Sequence, residues 1–328
     1  MPAHESKIQI RPANDSDSPV VLRLLEASLD WAPDALHGQF FAWKHRANPF
    51  GISPGWVAVD RACDDRVIGF RTFLRWEFEG GARIVRAVRA VDTATDPGYQ
   101  GQGVFTRLTL AAIDDLREEG VGFVFNTPNE KSLPGYLKMG WEVVGHLPVA
   151  VRARSVAALP RIARARTPAE KWSLPADVGI PASEAFAEPA AVAALLSAMT
   201  PGPGLRTRRT PEFLAWRYGF EPLAYRVVLA GTELADGVVV FRIRRRGAAK
   251  EMAICDVIVP DADRRGVNRL IRRALRASGS DDAVQVGPDA RGVPLPRQGP
   301  VLVWRALVEP TAPAKRDWAL TLGDVELF

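Results

Sequence analysis

Residues 91–141 constrain what this chain can fold into more than any other stretch, because glycine interrupts a regular pattern at one point. A strand-like segment ends at Pro97, Gly101 and Gly103 follow, and apolar residues then recur at helical spacing from Val104. A helix that begins directly after such a loop presents unpaired backbone N–H groups and the positive end of its dipole to one point. Glycine suits this loop because a side chain would hold a bound phosphate away from the backbone. The segment therefore predicts a site for a pyrophosphate group.

Strand-like and helix-like segments alternate on both sides of this loop. Apolar alternation predicts strands, and apolar spacing of three and four residues predicts helices. We expect strands at 67–78, 84–95, 122–126 and 141–151, and helices at 20–28, 104–119 and 130–139. The turn at residues 79–81 joins the first two strands as a hairpin. The pattern predicts an α/β (α+β) class with a mixed, mostly antiparallel twisted sheet flanked by helices.

Two common nucleotide-binding motifs do not fit the loop. The phosphate-binding sequence Gly-x-x-x-x-Gly-Lys-Ser/Thr does not occur there. A dinucleotide fingerprint needs a third glycine where Thr106 stands, and it usually opens the first strand–helix–strand unit of a domain. Here the loop follows several antiparallel-looking strands, so both nucleotide interpretations fail.

The loop resembles the signature of the GNAT superfamily of N-acetyltransferases, which reads Gln/Arg-x-x-Gly-x-Gly/Ala. Phe105 stands where the family has a small residue. The resemblance implies that acyl-CoA binds here as the co-substrate, with its pyrophosphate in the loop and its pantetheine arm along the preceding strand. The residues that this implies for acyl-CoA binding are Thr93, Ala94, Thr95, Gln100, Gly101, Gln102, Gly103, Val104 and Phe105.

A second stretch, residues 129–141, resembles the family's Asn-x-x-Ser/Ala-x-x-x-Tyr-x-x-x-Gly-Phe element. The resemblance implies that Asn129 and Ser132 approach CoA. It also implies that the hydroxyl of Tyr136 lies near the thioester sulfur and acts as the general acid. A tyrosine that only packs in the core is the alternative for Tyr136. The two motifs occur in the family's order, and the resemblance covers about residues 5–152.

The second half of the chain echoes the first. Residues 40–44 resemble residues 212–217, and residues 97–104 align with residues 260–267. A repeat of roughly 150 residues indicates a duplicated domain rather than a solenoid. We therefore expect a tandem GNAT fold with a catalytic domain at 1–152, a linker at 153–179 and a degenerate GNAT-like domain at 180–328.

The second copy is expected to lack catalytic CoA binding. Asp263, Arg264 and Arg265 stand where the first copy has Gln100, Gly101 and Gln102. A carboxylate would repel a pyrophosphate, and bulky side chains would block the approach to the backbone.

The spacing of two aspartates predicts a further difference between the copies. Asp92 lies five residues before Pro97, whereas Asp256 lies four residues before Pro260. An extra residue in the first copy predicts a β-bulge, which frees backbone N–H groups.

The sequence identifies no general base. Asp92 is a weak candidate, and the chain's terminal carboxylate on Phe328 is another. The aromatic segment 31–50 stands where the family builds its acceptor-binding helices, and it adds only Asp30 and Asp34 as nearby carboxylates. These residues do not identify the acceptor.

Composition narrows the setting of the protein. The 328 residues carry a net charge of +5, and the arginine-rich stretches lack the interleaved aromatic residues typical of nucleic-acid binding. Cys63 and Cys255 are far apart, and no Cys/His spacing predicts a metal site. No apolar run approaches the roughly 20 residues of a membrane span, and no signal peptide is visible. We expect a cytoplasmic protein that binds neither membrane nor metal. Nucleic-acid binding through the arginine stretches is a further alternative.

These observations predict an acyl-CoA-dependent N-acyltransferase. It would transfer an acyl group, acetyl by default, to a primary amine of a small molecule or peptide. The amine would attack the thioester directly in a ternary complex. A longer acyl-CoA or a thioester on an acyl carrier protein is an alternative donor. A non-catalytic module that binds acyl-CoA is an alternative of another class.

Overall fold

The fold is described from a computed structural model of the chain, for residues 7–28, 36–81, 83–165, 167–200, 202–260, 264–309 and 313–326. The chain divides into two compact units. The described residues within 1–78, 85–144 and 302–312 form the first unit. Those within 79–84, 145–301 and 313–328 form the second.

The described residues form strands and helices that alternate along the chain. The strands are β1 (Ile8–Pro12), β2 (Gly55–Asp60), β3 (Arg66–Gly80), β4 (Arg83–Thr95), β5 (Phe123–Asn126), β6 (Glu142–His146), β7 (Val149–Ala153), β8 (Ile180–Pro181), β9 (Arg206–Thr207), β10 (Arg226–Leu229), β11 (Val238–Arg246), β12 (Ala249–Ile258), β13 (Asp282–Val286), β14 (Val293–Pro294) and β15 (Val301–Ala306). The helices are α1 (Ser18–Ser28), α2 (Leu36–His45), α3 (Val104–Glu118), α4 (Leu133–Lys138), α5 (Leu159–Arg164), α6 (Ala182–Ala185), α7 (Pro189–Ser197), α8 (Pro211–Gly219), α9 (Arg264–Ala277) and α10 (Leu322–Val325).

The first sheet has the order β1-β2-β3-β4-β5-β15-β6. Its pairs β1–β2, β2–β3 and β5–β15 are antiparallel, whereas β4 and β5 are parallel with Ala87 opposite Phe123. Parallel neighbours need a crossover connection, and α3 supplies it. This topology places the loop that precedes α3 at the carboxyl end of β4, where the sequence predicts the pyrophosphate site.

A compact apolar core supports this end of the first sheet. Val21 and Leu25 of α1 pack against Val57, Phe70 and Ala94 of three neighbouring strands. Burying such side chains contributes about 1.5–3 kcal/mol each. The sequence predicts that Ala94 binds acyl-CoA, and this packing fixes the position of its strand.

The second sheet has the order β14-β7-β13-β12-β11-β10-β8. Its strands β12 and β13 are parallel, with Glu251 opposite Asp282, and the other neighbours with a described register are antiparallel. Helix α9 connects the parallel pair, as α3 does in the first sheet. The predicted fold class is confirmed, because both sheets are mixed and flanked by helices.

Two strands join the sheet of the other half of the sequence. The single strand region predicted at 141–151 divides into β6, in the first sheet, and β7, in the second. Strand β15, close to the carboxyl end of the chain, lies between β5 and β6 in the first sheet. The predicted domain boundaries at 152 and 180 remain predictions. The contacts within the chain assign β7 to the second unit and most of β15 to the first.

The segment predicted as a linker contributes to the second unit. It contains α5, and the side chains of Leu174, Ala176 and Val178 pack against the apolar core of that unit. The backbone N–H of Leu174 also donates to the carbonyl of Ile243 at 2.8 Å. Across the part of the chain that the structure describes, no helix is both long and apolar enough to cross a membrane.

The position of β15 predicts that a fragment of residues 1–152 does not fold cooperatively. Leu302, Val303 and Trp304 of this strand are buried, and burial contributes about 1.5–3 kcal/mol per large apolar side chain. The total is comparable to the stability of a whole domain, about 5–15 kcal/mol. Near-UV circular dichroism and thermal unfolding of the fragment provide the test.

The matched control is the same fragment with residues 300–312 attached through a Gly/Ser linker. It should regain a cooperative transition, because the strand between β5 and β6 is restored. A cooperative transition of the fragment 1–152 alone would contradict the prediction.

Candidate functional site

The loop before α3 has the backbone conformation that the sequence predicts. Gly101 and Gly103 both have a φ of +75°, and Gly103 caps the amino end of α3 without a side-chain hydrogen bond. A Cβ atom at either position would meet open space. Glycine is therefore required by the left-handed backbone, which other residues adopt at a cost of about 1–2 kcal/mol. The open space leaves the first N–H groups of α3 accessible to a ligand.

A cleft of about 430 Å³ lies over this loop. Eight of the nine residues predicted for the phosphate loop and the preceding strand line it, and Gln102 does not. Sequence reasoning missed two lining residues, Ser28 and Tyr99. The position of Tyr99 inside the loop could have predicted its place in the cleft. Ser28 lies in α1, far from the loop in the sequence, so no sequence pattern connects it with the cleft. The cleft combines a strand edge, a glycine loop and a helix amino end.

Polar side chains fix the shape of the loop. The Tyr99 hydroxyl donates to Asp60 at 2.7 Å. This hydrogen bond lowers the pKa of Asp60 and raises the pKa of Tyr99. The side-chain amide of Gln102 donates to the carbonyl of Gly98 at 3.2 Å, and that of Gln100 lies 3.5 Å from the carbonyl of Thr95. The Gln102 side chain therefore stabilises the loop itself.

Asn129 and Ser132 form a turn before α4. The side-chain oxygen of Asn129 accepts from the backbone N–H of Ser132 at 2.9 Å and from its hydroxyl at 3.0 Å. Neither residue lines the 430 Å³ cleft. The structure thus gives both side chains a local structural role, and their contact with CoA remains a prediction.

Tyr136 is buried in α4, with 4% of its surface exposed. Its hydroxyl accepts a hydrogen bond of 2.7 Å from Nη2 of Arg71, a side chain of β3 that is fully buried. Among the described residues, Nε and Nη1 of Arg71 have no hydrogen-bond partner. Tyr136 does not line the 430 Å³ cleft. The catalytic role of Tyr136 therefore remains a prediction. The sequence analysis did not identify its partner Arg71, whose only signal in the sequence is a charged residue within an apolar strand.

Phe105 lies between the cleft and Tyr136. Its ring lines the cleft and meets the ring of Tyr136 edge-on at a centroid distance of 5.5 Å. The guanidinium of Arg71 lies 5.4 Å from the centroid of each of these rings. Gly135 makes room for the large ring, since a Cβ there would lie 3.2 Å from it. The departure from the family signature at Phe105 is thus accommodated by a glycine on the facing helix.

Asp92 sits in a buried cluster of charge beside the predicted donor strand. Its carboxylate accepts from Nζ of Lys44 at 2.9 Å and lies 2.6 Å from Nε2 of His45. The three side chains are at most 4% exposed. Burial alone raises the pKa of Asp92, but Lys44 and His45 outweigh it and hold that pKa well below its ordinary value. Burial lowers the pKa of His45 and outweighs the hydrogen bond to Asp92, so the ring is neutral at pH 7.

Asp92 also has an unusual backbone conformation. Its φ is +35°, a left-handed value that is rare outside glycine. Residues held in such conformations cluster at ligand sites, where surrounding contacts maintain them. The ion pair with Lys44 is such a contact, and Asp92 directly precedes the strand residues that line the cleft.

The second unit contains a corresponding buried aspartate. Asp256 accepts from the hydroxyl of Tyr218, from Arg209 at 2.5 Å and from the hydroxyl of Thr321 at 2.9 Å. Tyr218 occupies the place of His45 in the repeated helix segment. The pairing of β11 and β12 shifts register at Cys255, directly before Asp256. Residue counting did not predict this irregularity in the second unit, and the β-bulge expected in the first copy remains a prediction.

A cleft also lies beside α9 in the second unit. Its volume is about 480 Å³, and the arginines 269 and 273 are among its lining residues. Residues 261–263 and the side chain of Arg264 lie outside the described residues, as do Asp30, Trp31, Asp34 and Phe328. Where the structure describes the chain, no group of three His, Cys, Asp or Glu side chains could hold a metal ion.

Comparison with known proteins identifies the class of the first unit. Residues 9–144 match the family model described as "Acetyltransferase (GNAT) domain". Residues 9–144 of the chain therefore carry a GNAT domain. The resemblance seen in the two sequence motifs is thereby confirmed.

Curated relatives narrow the comparison further. The chain is 29% identical over 152 residues to mycothiol acetyltransferase of Nocardia farcinica, covering 43% of this chain and 46% of that protein. It is 30% identical over 139 residues to mycothiol acetyltransferase of Rhodococcus jostii, covering 38% of this chain and 42% of that protein. The chain thus matches less than half the length of each relative.

Solved structures share the fold over most of the chain. A probable N-acyltransferase from Enterococcus faecalis is similar with a TM-score of 0.62, at 11% identity, over 93% of this chain and 74% of that one. A GCN5-related N-acetyltransferase from Kribbella flavida gives 0.58 at 15% identity, over 92% and 73%. Eis1 from Mycobacterium abscessus gives 0.55 at 15% identity, over the same shares. At these identities the likeness is one of fold.

The buried cluster predicts a large effect of Asp92→Asn on stability. The substitution breaks the buried ion pair between Asp92 and Lys44, which costs about 3–5 kcal/mol. The folded-state pKa of Asp92 is lowered, so its contribution is complete above the unfolded pKa of about 3.9 and is lost as pH falls below it. Urea unfolding should show the full loss at pH 7 and a shrinking loss below pH 4.

The matched control is Asp65→Asn, which removes the carboxylate of an exposed ion pair with Arg61. It should cost less than about 1 kcal/mol. A similar small loss for Asp92→Asn at pH 7 would contradict the prediction.

Proposed function

We propose that the first unit is an acyl-CoA-dependent N-acyltransferase that transfers an acyl group, acetyl by default, to a primary amine. The cleft of about 430 Å³ beside Gly101, Gly103 and the amino end of α3 carries this proposal. The GNAT domain at residues 9–144 supports an acetyltransferase, and acetyl-CoA is the co-substrate of that family. The acceptor would be a small molecule or a peptide.

The loop supplies the chemistry for binding the pyrophosphate. The N–H groups at the start of α3 are unpaired within the helix, and the helix dipole adds about half a positive charge there. The strand residues Thr93, Ala94 and Thr95 line the same cleft and would hold the pantetheine arm. Gln100, Gly101, Gly103, Val104 and Phe105 would surround the phosphates.

Transfer needs two proton movements and no covalent intermediate. The amine nitrogen attacks the thioester carbon, the C–S bond breaks, and the leaving thiolate takes a proton. A thiolate whose pKa is about 8.5 needs modest assistance. Tyr136 would supply the proton, because its hydroxyl accepts from Arg71 and therefore keeps its own hydrogen for donation.

The donor and the acceptor are two separate questions. Acetyl is the default acyl group, and a longer acyl-CoA or a carrier-protein thioester is the alternative donor. The ring of Phe105 lines the cleft in which the donor would bind. Since two relatives are named mycothiol acetyltransferase, acetylation in mycothiol formation is the first acceptor reaction to test.

Acetyl-CoA should stabilise the protein against thermal unfolding, and Gly103→Glu should abolish the effect. A ligand at about 100 times its Kd stabilises by roughly 2.7 kcal/mol, which raises Tm by about 2–4 °C in domains of this size. A carboxylate at the cap of α3 repels the pyrophosphate and blocks the backbone.

Gly120→Glu is the matched control, because Gly120 has a φ of +73° and follows the opposite end of α3. It carries the same strain and charge but should keep the Tm increase. No increase in the unmodified protein would refute the CoA proposal. If Tm still increases in Gly103→Glu, acetyl-CoA binds at another site, for example the 480 Å³ cleft beside α9.

Tyr136→Phe should lower kcat by about 10²–10⁴-fold without weakening acetyl-CoA binding, because only the proton donor is removed. The control is Tyr225→Phe in the second unit. Tyr225 is equally buried, and its hydroxyl accepts from the buried Arg217 at 2.6 Å. The control should keep kcat. An unchanged kcat in Tyr136→Phe would assign that tyrosine to the core, and no turnover in the unmodified protein would favour a non-catalytic module.

A further inference from the structure

A second cleft lies in the first unit, with a volume of about 330 Å³. The carboxylates Asp15 and Asp17 stand on one side, and His45, Ser53 and Thr72 contribute further polar groups. Asp17 is paired with Arg11 at 2.7 Å, whereas Asp15 is exposed and lies 3.3 Å from Arg46. The cleft is thus polar and partly acidic, which suits a cationic amine.

Two buried polar atoms of this cleft have no hydrogen-bond partner among the described residues. They are Nδ1 of His45 and the hydroxyl oxygen of Ser53. The His45 side chain is 3% exposed. A buried polar atom without a partner costs about 1–3 kcal/mol, so such atoms in a cleft indicate a ligand that would pair with them.

The surroundings of His45 fix the form of its ring. Lys44 and His45 hold Asp92 in its ionised form, and a carboxylate only accepts hydrogen bonds. Nε2 of His45, at 2.6 Å from that carboxylate, therefore carries the hydrogen. In the neutral ring Nδ1 is then left with a free lone pair. Nδ1 of His45, a residue that lines the cleft, is therefore a buried acceptor without a donor among the described residues.

Strand β4 and its neighbour β3 link the two clefts of the first unit. Thr93 lines the donor cleft, and its hydroxyl donates to the carbonyl of Phe70 at 3.2 Å. Phe70 lines the second cleft. Asp92, the residue before Thr93, bonds to His45. One strand therefore connects the donor cleft to the ring of His45 within two residues.

Building on the proposed acyltransferase function, we propose that the second cleft holds the acceptor amine and that His45, oriented by Asp92, takes up its proton. Nδ1 accepts a proton from the amine, the nitrogen forms its bond to the thioester carbon, and the C–S bond breaks. The proton that leaves the amine stays on the imidazole as an imidazolium next to Asp92. The thiolate receives its own proton from Tyr136 or from solvent.

Anchoring of α2 does not explain the free nitrogen. In the second unit, Tyr218 anchors α8 to Asp256 with a single hydroxyl and leaves no polar atom of its own unpaired. A tyrosine at residue 45 would anchor α2 in the same way. Histidine adds one further acceptor, on a side chain that lines a cleft.

The first test reads the His45 ring directly and needs neither donor nor acceptor. In ¹⁵N-labelled full-length protein, the ring resonances that disappear in His45→Gln belong to His45. We expect a neutral ring with hydrogen on Nε2 at pH 7 and a titration midpoint below the ordinary histidine pKa of about 6.5. The charged groups that act on the ring are Asp92 and Lys44, and Asp15, Asp17 and Arg46 line the same cleft. A protonated ring at pH 7, or hydrogen on Nδ1, overturns the proposal.

The second test is kinetic, with acetyl-CoA as donor and ethanolamine, glucosamine and cysteamine as acceptor probes. CoA formation is measured by chromatography, and the fastest probe is used. His45→Gln keeps an amide donor for Asp92 but lacks a base. Its kcat/KM for the amine should fall at least 100-fold at pH 7, with the acetyl-CoA Kd within twofold. The loss should shrink toward pH 9, where the amine arrives deprotonated.

His37→Gln is the matched control, since His37 is another buried histidine of α2. It should leave the pH profile unchanged. A His45→Gln enzyme within threefold of the unmodified kcat/KM across the pH range overturns the proposal, and so does an equal loss at every pH, because a structural role predicts it. If the unmodified protein does not bind acetyl-CoA, the acyltransferase proposal itself fails.

Discussion

A carboxylate buried between a lysine and a histidine holds together the part of the first unit that carries the candidate site. Asp92 ties α2 to β4 and keeps its own backbone in a left-handed conformation. Within two residues the strand passes from this ion cluster to the side chains that line the donor cleft. Removing one partner of this buried ion pair would leave the other charge uncompensated, so the pair holds α2 and β4 together at this point.

The sequence predicted those parts of the site that depend on neighbouring residues. The loop, its glycines and the start of α3 were correct because backbone conformation and helix caps are local properties. The contacts of Arg71 with Tyr136, and of His45 with Asp92, join residues 65 and 47 positions apart. Such contacts leave no periodic pattern. The insertion of β15 was missed for the same reason, since strand pairing over long separations depends on the whole fold.

The repeated segments of the two units show how one framework supports different chemistry. Lys44 and His45 of the first unit correspond to Arg217 and Tyr218 of the second, and Asp92 corresponds to Asp256. Both sets bury a carboxylate against basic or hydroxyl partners from a helix. In the second unit Arg217 also donates to the carbonyls of Gly323 and Glu326. Each unit has one buried nitrogen beside its aspartate that lacks a hydrogen-bond partner among the described residues: Nδ1 of His45 in the first and Nε of Arg209 in the second.

The place of β15 in the first sheet sets the order of events during protein synthesis. The neighbours of this strand, β5 and β6, leave the ribosome about 160 residues before it. At roughly 5–20 residues per second, that interval is about 8–30 s. Throughout it the nascent chain exposes two unpaired strand edges, which readily pair with other chains. The amino-terminal strands therefore remain open to such pairing until β15 has been translated.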